Sequence, residues 1–129
     1  MLCEKIVNII DISAILWYNK KKRRFNMLVI TKDNFKTEVE EHRGLVVIDL
    51  YADWCGPCRM LAPILAKLEE EYPEVKFCKI NVDDEPELAK SFNVTSIPMV
   101  AFVKNNVFAD VSVGLVPKDK LAALIDSNK

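Results

Sequence analysis

The chain has 129 residues, enough for one domain built around one hydrophobic core. Half of the residues are hydrophobic and 29% are charged, the balance of a soluble globular protein. The net charge of −1 is unevenly placed: residues 1–26 hold six Lys/Arg against two Asp/Glu, leaving twelve against seventeen (net −5) in the remainder, an acidic body with no footprint for nucleic acid.

Residues 1–26 read as a separate text. Ile6 to Tyr18 is mostly apolar, but Asn8, Asp11 and Ser13 interrupt it, and it falls short of the ~20 residues a spanning helix needs. The cluster Lys20-Lys21-Lys22-Arg23-Arg24 follows the apolar stretch, whereas a secretory signal carries its positive charge before it. Glu4 and Asp11 argue against an organellar transit peptide. Arg23-Arg24 can be encoded as AGG-AGG, a bacterial ribosome-binding site ahead of an ATG at Met27. On that reading residues 1–26 are a non-native leader or a disordered extension, and residues 27–129 are the domain. A short membrane-surface helix with a basic flank is the alternative.

From Met27 the elements follow in order. Met27 to Ile30 reads as a short strand. Thr31 or Asp33 can cap a helix running to about His42, with Phe35 and Val39 on one face. Leu45 to Ala52 is a near-continuous apolar run, the pattern of a strand buried on both faces. A helical pattern begins near Cys55 and reaches Glu71, with Leu61, Ile64, Leu65 and Leu68 on one side. Pro63 lies inside it and is expected to kink it. Val75 to Val82 is a second buried strand. Asp84 or Glu85 opens a short helix with Pro86 in its first turn, ending near Asn93. Pro98 to Val103 and Val107 to Val113 are strands joined by Lys104-Asn105-Asn106, a hairpin signal. Pro117 begins a last helix that turns Leu121, Leu124 and Ile125 inward. The order βαβαβα, then ββα, requires right-handed crossovers and a parallel sheet, extended by an antiparallel hairpin, with helices on both faces.

The chemistry-bearing motif is Trp54-Cys55-Gly56-Pro57-Cys58, at the carboxyl end of a buried strand, where open α/β sheets place their sites. Two thiols this close can form a disulfide that adds little stability, because the ring closes so short a loop. The helix N-terminus offers unpaired N–H groups and a positive dipole end, which favour a thiolate, the nucleophile of disulfide exchange. The other cysteines, Cys3 and Cys78, suggest no framework of structural disulfides, and no second C-x-x-C completes a zinc site. The setting is read as reducing and intracellular.

From Leu28 to Ile125 the chain resembles the thioredoxin family. The resemblance rests on Asp49, Ala52, Trp54-Cys55-Gly56-Pro57-Cys58, Pro63, Lys79-Ile80-Asn81-Val82-Asp83, Ile97-Pro98 and Gly114, in order and spacing. It implies a thioredoxin fold with a five-stranded mixed sheet in the order 1-3-2-4-5, the site on strand 2, and a cis peptide between Ile97 and Pro98. It implies a cytoplasmic, monomeric protein-disulfide reductase that binds no cofactor or metal. Electrons come from NADPH through thioredoxin reductase, partners are disulfide-containing proteins, and neither nucleic acid nor a membrane is involved. The chain departs from the family in carrying Met99 after the proline, where it could alter the partner surface, and Asn106 at a hairpin position usually held by Gly.

Each residue then has an expected role. Cys55, at the helix start, is the attacking thiolate. Cys58, one turn in and expected to be less exposed, resolves the mixed disulfide. Gly56 and Pro57 tune the redox poise and touch substrate; the family places Gly-Pro in its reducing branch. Asp49 is the one acid inside a buried strand, read either as the proton partner of Cys58 or as a structural carboxylate bonded to Lys79 or to water. Lys79 either tunes Asp49 or is a plain surface lysine. Trp54 is read as a shield and substrate contact, against a core aromatic. Pro98 places the Ile97 backbone for strand-like pairing with a substrate, and Gly114 allows close approach of a partner. Cys78 is a packing residue and His42 a surface one. A non-enzymatic reading remains beside these: a binding subunit using the apolar surface around Trp54, Ile97, Pro98 and Gly114.

The charge break at Asn26 makes one measurable claim. A chain beginning at Met27 is expected to fold and to reduce disulfides at the full-length rate. A large loss of stability or activity would show that residues 1–26 pack on the domain.

Overall fold

The computed structural model describes residues 27–129, so the reading of residues 1–26 as a leader lies outside the described residues. The elements are β1 (Leu28–Val29), α1 (Lys36–Glu40), β2 (Leu45–Tyr51), α2 (Gly56–Glu71), β3 (Lys76–Asn81), α3 (Pro86–Ser91), β4 (Met99–Lys104), β5 (Val107–Val113) and α4 (Lys118–Asn128). They form one five-stranded sheet in the order β1-β3-β2-β4-β5. β3 runs parallel to β1 and β2, and β4 runs antiparallel to β2 and β5.

β2 lies at the centre of the sheet, and its alternating side chains explain its unbroken apolar sequence. Val46, Ile48 and Leu50 pack on one face with Ile30, Val39 of α1 and Ala89 of α3. Leu45 and Val47 pack on the other with Leu61, Leu65 and Leu68 of α2 and Leu121 and Ile125 of α4. The helices thus cover both faces, as the apolar spacing of the sequence requires. The run of α2 is not interrupted at Pro63, which lies on its exposed side together with Arg59. The Arg59 carbonyl that loses a helical donor there can be satisfied by water.

Two expectations are corrected. The first helix stops at Glu40 instead of reaching His42, and closes on a wide turn in which the Glu41 N–H donates to the Lys36 carbonyl at 2.9 Å. Lys76 supplies the reason. Its ammonium donates to the Glu38 carbonyl at 3.0 Å and also pairs with the Glu38 carboxylate, so that carbonyl is taken by a side chain from β3 where a longer helix would use it. Met99 does not reach a partner surface either. It is buried with Ile48, Leu50 and Ile80 on the α1/α3 face.

The hairpin between β4 and β5 turns on Asn105 and Asn106, with φ of 50° and 65°. Positive φ at both central positions is the requirement of a type I′ turn, and Asn tolerates it better than other residues with a Cβ. The Asn105 side chain also accepts the Gly44 N–H at 2.9 Å, tying the turn to the loop before β2.

Glycine at the second turn position relieves the remaining backbone cost. Asn106→Gly is expected to preserve stability or raise it by up to about 1 kcal/mol, and Asn106→Val to lower it by about 1–2 kcal/mol. Urea unfolding of the two variants checks the sign of each change.

Candidate active site

β2 ends at Tyr51, and four residues later Cys55 caps α2. Cys55 has extended backbone angles (φ −86°, ψ 111°), and its sulfur accepts the Cys58 N–H at 3.2 Å. This is an N-cap made by a cysteine sulfur, with Pro57 just inside the helix start, where its missing N–H costs nothing. No acidic side chain lies in the first turn of α2 to oppose a developing thiolate.

Cys55 and Cys58 form a disulfide across Cα atoms 5.3 Å apart. Overall exposure does not distinguish them, at 4% and 3%. Their surroundings do. Cys55 lines an open groove together with Trp54, Gly56, Pro57, Val82, Val94, Thr95, Ser96 and Ile97, and Cys58 does not. Behind the groove the two cysteines and Ala52 form one buried cluster, against which Tyr51, Val82 and Ile97 pack. The Ile97–Pro98 peptide is cis, and the Pro98 carbonyl accepts the Gly114 N–H at 2.8 Å. Gly114 has φ +89°, and a Cβ there would meet open space, so backbone conformation and not crowding calls for glycine.

Trp54 is no core residue: it is 69% exposed. Its indole N–H donates to the Asp83 carboxylate at 2.9 Å, which fixes the ring at the rim of the groove. Asp83 and Asp84 are themselves held by Asn81, whose side-chain oxygen accepts both backbone N–H groups at 2.9 and 3.3 Å. Sequence reasoning gave none of these three a site role. The available signal was an Asn followed two and three residues on by acids at the end of a buried strand, an Asx turn.

Asp49 shares the α2 face of β2 with Leu45 and Val47, by strand alternation, and its partner in register on β3 is Lys79. It is 4% exposed, and Oδ1 has no hydrogen-bond partner. Burial pushes its carboxyl up to about 7, against the opposing pull of the Lys79 charge. Lys79 does not close on the carboxylate as an ion pair; its ammonium sits 5.4 Å from the centroid of the Tyr51 ring. The remaining cysteine and the histidine lie elsewhere. Cys78 packs on the opposite face of the sheet, with its thiol pushed by burial up to about 12. His42 is half-buried, and its pKa is lowered by burial and then by Lys76. Among the described residues no three His, Cys, Asp or Glu side chains gather as metal ligands, and no helix is long and apolar enough to cross a membrane.

A cysteine pair at a helix start, opening on a groove at the carboxyl edge of a mixed α/β sheet, defines a dithiol–disulfide exchange protein. A family model described as thioredoxin matches residues 26–127. The chain is 40% identical over 101 residues to a thioredoxin of Chlamydia trachomatis, covering 78% of this chain and 97% of that protein. It is 39% identical to thioredoxin 1 of Synechococcus elongatus (77% and 94% covered). It is also 39% identical to a chloroplastic thioredoxin M5 of rice, covering 78% of this chain and 59% of that one. A chain solved in a study of thiol resolution in yeast mitochondrial 1-Cys peroxiredoxin, through the glutathione and thioredoxin systems, superposes with a TM-score of 0.73. It shares 32% identity, with 79% and 95% covered. The chain belongs to the thioredoxin family, and its Cys55–Cys58 pair makes it a protein-disulfide reductase.

The Asp49 environment predicts a pH dependence. Its folded pKa of about 7 lies above the unfolded value of about 3.9, so the unfolded state loses the proton first. The stability of the oxidised protein therefore falls as pH rises from about 4 to about 7 and levels off above that. Asp49→Asn removes the dependence, and its stability relative to the parent is expected to climb over this window by up to about 4 kcal/mol. Urea unfolding at fixed pH values from 4 to 8 measures it; a constant difference across the window would show that Asp49 is not raised.

Proposed function

We propose that Cys55 is the attacking thiolate and Cys58 the resolving thiol. The observation that carries this reading is the asymmetry of the pair. Cys55 borders the groove and its sulfur receives a helix-start N–H, whereas Cys58 is set behind it. The Cys55 thiolate attacks one sulfur of a substrate disulfide; a mixed disulfide forms and a substrate thiolate leaves. Cys58 then attacks the Cys55 sulfur, closing the protein disulfide and expelling the second substrate sulfur. Two electrons and two protons pass to the substrate.

Asp49 serves as the proton partner of Cys58. A carboxyl near 7 is divided between its two forms at neutral pH, the condition under which it can both take and return a proton. Lys79 tunes it by favouring the ionised form. Trp54, Gly56, Pro57 and Ile97 form the substrate surface, with Pro98 and Gly114 bracing the Ile97 wall. The cycle is completed by thioredoxin reductase with electrons from NADPH, in a monomeric cytoplasmic protein that contributes to electron transport and redox homeostasis. Residues 1–26 play no part in it.

Trapping tests the assignment. Cys58→Ser is expected to accumulate a covalent mixed disulfide through Cys55, and Cys55→Ser to abolish insulin reduction. In the reduced protein Cys55 should alkylate at least tenfold faster than Cys58 or Cys78, because the thiolate fraction and access set the rate. Equal labelling of Cys55 and Cys58, or trapping through Cys58, would reverse the roles.

A further inference from the structure

The two walls of the dithiol groove differ in charge. One is formed by Val94, Thr95, Ser96 and Ile97 and carries none. The other holds Trp54 and Val82, whose neighbours in the chain are Asp53 on one side and Asp83 and Asp84 on the other. Asp83 receives the indole N–H, while Asp53 and Asp84 are exposed and have no ion-pair partner among the described residues. The two carboxylates come from different segments, one preceding Trp54 and one in the turn after β3. Both act on Tyr51, whose hydroxyl is pushed up by burial first and then by Asp53, with Asp49 and Asp84 adding to it. Next to this negative rim Trp54 presents an exposed ring whose edge is anchored, leaving its face open.

An anchored indole face beside unpaired carboxylates suits one chemistry. A guanidinium can stack on the ring and direct its N–H groups to a carboxylate at the same time, and an ammonium can satisfy only part of that arrangement. Resting on the dithiol reading above, we propose that this protein prefers substrate disulfides flanked by a cationic side chain, arginine above all, received by Trp54 and the Asp53/Asp84 wall. The attraction acts on encounter as well as in the complex, so it is strongest at low ionic strength.

The test uses the reduced full-length chain and three peptides sharing one disulfide, with Arg, Gln or Glu beside the attacked cysteine. Single-turnover thiol oxidation gives the second-order rate constant for each. At low salt the Arg peptide is expected to react about tenfold faster than the Glu peptide, with Gln between them, as two or three partly exposed charge contacts allow. In 0.5 M NaCl the ratio should shrink to about threefold or less. Asp53→Asn combined with Asp84→Asn should remove most of the low-salt preference. Equal rates for Arg and Glu peptides at low salt, or a preference that survives in the double variant, overturns the proposal. The Gln peptide reports the dithiol reaction by itself: if it and both others fail to react, the reading of Cys55 and Cys58 falls, and this one with it.

Discussion

The site depends on the hydrogen bonding of β2 on both of its edges. β3 holds it in parallel from Val46 to Tyr51, and β4 holds it in antiparallel from Leu45 to Leu50. A strand fixed on both sides and buried on both faces cannot shift its carboxyl end without breaking the sheet and the core together. The chain that leaves it has four residues in which to reach the start of α2. The opposed directions of its neighbours finish the arrangement. β2 and β3 end at the rim where β4 begins, since Leu50 lies opposite Met99. The cysteine pair, Val82 and the Ile97–Pro98 bend therefore meet at one edge of the sheet, although some 40 residues of sequence separate the first from the last.

That rigidity allows an unfavourable group to be kept in place. Asp49 has a neighbour in register on either side, so it cannot turn out to solvent without disturbing β2. The nearest cation is diverted onto the Tyr51 ring, and Oδ1 is left unpaired. A carboxylate so placed is costly when ionised and far less so when protonated. The sheet thus holds a proton near neutral pH on the face that α2 covers, at a stability cost borne by the surrounding core.

Sequence reading reached what periodicity and local chemistry encode. The double-faced burial of β2, the inward residues Leu61, Leu65, Leu121 and Ile125, the hairpin at Lys104-Asn105-Asn106 and the cysteine pair at a helix start each follow from residues close together in the chain. The sheet order and the cis bond entered through the family resemblance and not through residue pattern. What escaped was decided by partners distant in sequence. The end of α1 is set by Lys76, which claims the Glu38 carbonyl from 38 residues away. Trp54 is fixed by Asp83, 29 residues on. Met99 follows the cis proline Pro98 yet is buried in the core, because Leu50, opposite it on β2, faces the α1/α3 side. The fractional exposure of the cysteines, 4% and 3%, barely separates them, for a related reason. Tyr51, Val82 and Ile97 pack against the buried cluster that holds both cysteines, and the groove is what tells the two apart.

The acidic rim and the dithiol act against each other in the free protein. Carboxylates beside a thiol disfavour its ionisation, while the helix-start N–H groups favour it. The two effects are not equal in reach. The Cys58 N–H touches the Cys55 sulfur directly in a nearly buried setting, whereas Asp53 and Asp84 are exposed and screened by solvent and salt. The local donor therefore wins at the sulfur, and the carboxylates make themselves felt mainly on what approaches. With Cys55 as the proposed attacking thiolate, a substrate that brings its own cation alters the balance further: it neutralises the rim when that sulfur carries negative charge. On the proposed preference, the same side chain that is recognised by Trp54 and the acidic wall also removes the repulsion that the wall exerts on the nucleophile, which couples recognition of the partner to activation of the thiol.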